Sequence, residues 1–119
     1  MFINFTNHPS KNWGDHQKEK ASHWGATKDF PFPNVDANWT EQEVKELANQ
    51  VAQQIITMKP DAVLCQGEMT LAFQVVILLK AANISTVAAC SKRKAKEVVL
   101  PDGTVEKYAI FEFVKYREF

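Results

Sequence analysis

Cysteine is almost missing from this chain of 119 residues, with Cys65 and Cys90 the only two. Both lie in apolar runs, so they read as small core hydrophobes rather than a disulfide framework or a metal cluster. Glycine and proline are sparse as well, at four and five residues, and no segment is low in complexity or repeated. That excludes a flexible linker or a repeat array and leaves one domain over residues 1–119. Net charge is missing too: 14 Lys and Arg offset 14 Asp and Glu. No overall field gathers long DNA or RNA, although a small anion held by a few local groups is not excluded. The longest apolar stretch, Leu71–Ala82, is interrupted by Gln74 and Lys80 and is shorter than the ~20 residues that cross a bilayer. Met1 leads straight into a strand-like segment with no basic leader, so the expected location is the cytoplasm, away from membranes. His16 and His23 share a helix without matching cysteine or carboxylate spacing, so neither a metal nor a cofactor is expected.

What the chain does have is apolar content, 45% hydrophobic residues, enough for a core of its own. Met1–Asn7 reads as a first strand, broken at His8-Pro9-Ser10 because proline removes a donor and holds His8 extended. A thinly apolar helix over Trp13–Trp24 follows, with Trp13, Gln17, Ala21 and Trp24 on one face, ending at Gly25. Ala26–Phe32 carries a proline near its end and suits a sheet edge. Thr40-Glu41-Gln42-Glu43 is a capping box, and Val44, Leu47, Ala48, Val51, Ile55 and Met58 continue it as an amphipathic helix that Lys59-Pro60 stops. Asp61–Cys65 is a strand buried on both faces. A helix over 68–82 is apolar almost all round, with Asn83 as its cap. Ile84–Cys90 is a fourth strand and Ser91–Lys96 a basic loop. Glu97–Leu100 and Val105–Tyr116 then form a hairpin about an Asp102-Gly103 turn.

The order βαβαβαβ with right-handed crossovers gives an α/β fold: a three-layer, Rossmann-like parallel sheet extended by a C-terminal antiparallel hairpin. Strand one is expected beside strand three, with strands two and four outside them. Ligands of such sheets sit beyond the carboxyl ends of the strands, where the strand order reverses. Three polar clusters converge on that rim: Asn7 to Ser10, Gln66 to Thr70, and Ser91 to Arg93. Gly67 would admit close backbone approach, and the helix that follows offers N–H groups to an anion. No Ser-His-Asp triad, HExxH motif or hydrolytic carboxylate pair is present.

The opening Asn4-Phe5-Thr6-Asn7-His8-Pro9-Ser10, the Gly67-x-x-Thr70 turn and Ser91-Lys92-Arg93 together resemble the small stand-alone CRISPR-associated Rossmann-fold (CARF-like) proteins. That resemblance implies a homodimer binding a cyclic oligoadenylate. In ring-nuclease members it also implies metal-independent cleavage, a ribose 2′-hydroxyl attacking its own phosphate. The chain has no effector domain, so the reading is a ring-binding or ring-degrading domain. Such a reaction needs positioning and donors for the phosphate charge. The ligand set would be Asn7, Ser10, Gln66, Gly67, Glu68, Thr70 and Lys92. The catalytic set would be Ser91, Arg93 and His8, the one rim side chain of the type suited to general acid or base work. Two alternatives stay open: a non-catalytic homodimeric nucleotide-binding module, packed through the 68–82 helix and the strand bearing Phe111 and Phe113, and an enzyme like the nucleoside deoxyribosyltransferases with Glu68 as nucleophile. A shielded Glu68 facing an empty pocket would favour the glycosidic enzyme; a Glu68 turned outward, leaving bare N–H groups, would favour anion binding.

Overall fold

A computed structural model describes residues 1–119. The elements are β1 (Phe2–Phe5), a 3-10 turn (Ser10–Asn12), α1 (Asp15–Ser22), β2 (Thr27–Asp29), α2 (Glu41–Thr57), β3 (Ala62–Cys65), α3 (Met69–Ala81), β4 (Ser85–Val99) and β5 (Val105–Glu118). They form one five-stranded sheet in the order β2-β1-β3-β4-β5. The first four strands are parallel, and β5 runs antiparallel to β4.

This corrects the expected fold class. The Rossmann-like parallel sheet with a separate appended hairpin is replaced by a mixed sheet with three helices. The anticipated basic loop at 91–96 does not exist: β4 runs unbroken from Ser85 to Val99 and is both the last parallel strand and the first arm of the hairpin. The reason is solvent. Beyond Cys90 the ribbon leaves the sheet and both its faces are wet, so Lys92, Arg93, Lys94 and Lys96 are tolerated in strand conformation. Cross-strand charge pairs support them, Lys94 with Glu112 at 2.6 Å and Lys107 with Glu97 at 3.6 Å. Between the Cys90–Lys115 and Ser91–Phe113 pairs the register shifts, leaving Val114 unpaired as a bulge where the ribbon departs. The far end closes at Asp102, whose side chain accepts from the Thr104 amide and hydroxyl, and Gly103 takes the left-handed φ of 84° that the turn demands.

The core follows from alternation along the short central strands. Ile3, Phe5, Val63 and Cys65 point to one face and pack against α2 and α3. Phe2, Ala62, Leu64 and Val87 point to the other, towards α1. The capping box of α2 is present, Thr40 accepting from the Glu43 amide at 3.2 Å and donating its own amide to the Glu43 carboxylate at 3.3 Å. Behind that cap Val44, Ala48, Val51, Ala52 and Ile55 are buried. The helix expected over 13–24 is shorter, because Trp13 lies outside it, after the 3-10 turn, and Trp24 just past its end. Its packing comes from those flanks: Phe2 stacks on Trp24 at 4.8 Å and meets Tyr116 at 5.2 Å. No helix is long and apolar enough to cross a membrane.

Candidate functional site

An open cleft of about 1240 Å³ lies at the carboxyl ends of β1 and β3 and against the middle of β4, at Ala89 and Ser91. Thr6, Leu64, Gln66, Ala89 and Ser91 form its floor; Asn7–Pro9 and Asn12–Gln17 form one wall, and Lys94, Lys96 and Ile110–Phe113 of the ribbon form the other. The rim expected from topology is therefore real as a place. Asn7, His8, Gln66, Gly67, Glu68 and Ser91 line it, whereas Ser10, Thr70, Lys92 and Arg93 do not.

The loop after β1 is fixed by a buried amide. Asn4 donates to the His8 carbonyl at 2.8 Å and to Asp29 at 3.0 Å, and accepts from the Thr6 hydroxyl at 2.7 Å. Thr6 in turn accepts from the His8 amide at 3.0 Å. Asp29 takes the Ser10 amide on both oxygens at 3.2 Å, which is why Ser10 is turned away from the cleft. Burial pushes the Asp29 carboxyl up, but hydrogen bonds from Asn4 and Ser10 and the Lys11 charge outweigh it and hold it below its ordinary value. With the backbone held, the Asn7 and His8 side chains stand exposed at the cleft.

At the end of β3 the polar residues have structural work. Gln66 uses its side-chain amide as a substitute peptide, donating to the Ala89 carbonyl at 3.5 Å and accepting from the Ala89 amide at 3.2 Å, so the β3–β4 pairing continues one step past the strand. Gly67 is set by packing. A Cβ there would fall 2.5 Å from ring carbons of Phe32. That ring is carried in by the segment after β2, where the Phe30 and Phe32 amides still bond to the Asn4 and Thr6 carbonyls of the β1 chain. Glu68 is the N-cap of α3: its carboxylate accepts from the Thr70 amide at 3.1 Å, the Leu71 amide at 2.9 Å and the Thr70 hydroxyl at 2.6 Å. Those bonds, the Thr70 hydroxyl first, hold its carboxyl below its ordinary value.

The expectation of free amides there is thus corrected. The amides of Thr70 and Leu71 are already occupied by the chain's own carboxylate, so an anion reaching those two would have to displace Glu68. The same geometry removes the glycosidic nucleophile, because Glu68 is exposed and engaged rather than shielded and free.

Lys94, Lys96, His16, Asp15, Phe111, Glu112 and Phe113 are cleft residues that the sequence reasoning missed. A strand reading of Ser91–Val99 would have found the lysines, since Lys94 and Lys96 share one face of it. Lys94 pairs with Glu112 and lowers its carboxyl, while Lys96 makes no ion pair. The His16 ring sits edge-on to Phe113 at 5.3 Å. No three His, Cys, Asp or Glu side chains gather as a metal site would require. Cys65 is a core residue whose thiol burial pushes up to about 12.

Residues 1–117 match the family model described as "Uncharacterized protein MJ1673 family". Searches of curated proteins and of solved structures gave no match.

Proposed function

We propose that this chain, which belongs to the MJ1673 family, binds an oligonucleotide-sized ligand in the cleft between its strand ends and its ribbon, a cyclic oligoadenylate being the ligand suggested by the CARF-like opening sequence. The observation that carries this is the size and lining of the cleft. At about 1240 Å³ it exceeds the ~300–1,000 Å³ usual for a single small-molecule site. Its lining brings together the Asn7 amide, the Lys94 and Lys96 ammonium groups, and the Phe111 and Phe113 rings, the lysines from one face of the ribbon and the phenylalanines from the other. An oligonucleotide matches that mixture, because every base has a face to stack and every phosphate takes a cation. The balancing acids, Asp15, Glu68 and Glu112, keep the cleft from being a general polyanion trap. Lys96, free of a carboxylate partner, is the phosphate contact, and Lys94 becomes a second by releasing Glu112.

Turnover by 2′-hydroxyl attack would rest on His8, whose exposed imidazole lines the cleft. Arg93, assigned a catalytic part from sequence, stands outside the lining, so the reading is binding first and cleavage by His8 second. Calorimetric titration tests it. Cyclic oligoadenylates of four to six units should bind with dissociation constants in the micromolar range or tighter, and at least tenfold tighter than AMP. No heat with any of them at several hundred micromolar would end the proposal.

A further inference from the structure

Two apolar surfaces have nothing over them and belong to no cleft wall. The first is the outer face of α3, where Met69, Phe73 and Ile77 recur at every fourth residue and are 82%, 62% and 46% exposed. Beside them Phe119 closes a groove of about 380 Å³ floored by Cys65, Ala72 and Val76. The second is the tip of the ribbon. Val99 and Val105, a cross-strand pair on one face of the tip, are 70% and 51% exposed, and Val98 and Tyr108 stand exposed on its other face. The ribbon makes eight residue pairs beyond the bulged base of the hairpin, from Lys92–Glu112 to Val99–Val105, and every residue of their β4 arm is exposed. A two-stranded ribbon is marginal in water without a surface to lie on.

We infer that the ribbon tip of one copy seats in the α3 groove of a second copy, and that the exchange is reciprocal about a two-fold axis. The charges agree: Lys80, which donates to the Phe119 carbonyl, is the only ionisable side chain on α3, while Asp102 and Glu106 at the tip have no ion-pair partner. Area selects the occupant. A large apolar side chain presents on the order of 100 Å². The eight named side chains are about half exposed, so two copies together offer roughly 900 Å² of apolar surface. At the ~60% apolar share of ordinary interfaces this corresponds to roughly 1,500 Å² in all, within the ~1,200–2,000 Å² of specific complexes. One tip in one groove would bury about half of that, the size of a crystal-packing contact. Only the closed exchange between identical copies reaches a stable interface. Phe111 and Phe113 stay with the cleft, so the inference stands independently of the ligand proposed there.

Light scattering on the eluting protein at about 50 µM should give twice the chain mass of 13.5 kDa. Val99→Glu and Phe73→Glu, each at an exposed position, should each keep the far-UV spectrum of the parent and weaken association at least tenfold. In a Cys90→Ser background, a Val99→Cys chain mixed with a Phe73→Cys chain should form a mixed disulfide on mild oxidation. A monomeric wild type would overturn the inference, as would a dimer indifferent to both glutamates. A disulfide found only between two Val99→Cys chains would overturn it too, by assigning the contact to the tips alone.

Discussion

Replacing Gly67 with alanine separates a packing glycine from a ligand-binding one. The added Cβ would sit 2.5 Å from the Phe32 ring, against ~3.5–4.0 Å for an ordinary carbon contact, so an overlap of about 1 Å must be relieved. Phe32 has little room to retreat, being buried with its ring 4.7 Å from that of Phe5. Overpacking of this kind costs ~1–3 kcal/mol. The backbone at Gly67 is not left-handed, so alanine recovers about 0.4–1 kcal/mol by stiffening the unfolded chain. A net loss of roughly 1–2 kcal/mol lowers the urea midpoint by on the order of 1 M for a small domain. In a Phe32→Ala background, with sucrose present to keep the cavity-bearing variant folded, the same substitution has nothing to strike and should be neutral or slightly stabilising. Equal losses in the two backgrounds would refute the packing argument. An unchanged midpoint with weakened ligand binding would return Gly67 to the ligand.

The other expectations are narrower. Glu68→Ala removes the α3 cap and should cost ~0.5–2 kcal/mol in denaturant unfolding. Because the folded-state carboxyl is depressed, its contribution is full above the ordinary glutamate value and lost as pH falls through the lowered folded one. The stability gap between Glu68 and Glu68→Gln proteins should therefore close on acidification; a gap constant down to pH 2 would contradict the cap. Lys96→Ala should weaken a phosphate-bearing ligand by about one to two decades, from the ~1.5–3 kcal/mol of a charged hydrogen bond, while Lys92→Ala, outside the lining, should leave calorimetric affinity unchanged. Where turnover of a ring is observed, His8→Ala should lower kcat more than it raises KM; equal effects would make His8 a contact. Cys65, with its thiol pushed up to about 12, should resist iodoacetamide at pH 8 in the native state and label only on unfolding, as mass spectrometry can follow.

The legible parts of the chain were those set by local rules. Thr40 and Glu43 announced α2 because a capping box needs only residues three apart. The strand order followed from short β-α-β connections whose handedness is fixed. The rim was foreseeable as a location for the same reason, since Asn7 and Gln66 had to emerge at strand ends, with Ser91 where β4 runs on past the end of β3. Its internal bonding was not. That Gln66 would imitate a peptide for Ala89, or that Phe32 would lie against Gly67, depends on residues 23 and 35 positions apart, and neither leaves a periodic trace. The run Ser91–Lys96 was read as a loop because polar residues on both faces signal solvent. A ribbon outside its sheet is solvent on both faces while remaining a strand, and that displaced the cleft's cations from Lys92 and Arg93 to Lys94 and Lys96.

Amide chemical-shift mapping during addition of a cyclic oligoadenylate tests the proposed binding cleft most directly. Saturable shifts should concentrate at Asn7, His8, Gln66, Ser91, Lys94, Lys96 and Phe111, and should be lost in Lys96→Ala. Shifts confined to the α3 groove around Phe73 and Phe119, or none at millimolar ligand, would contradict the assignment of the cleft.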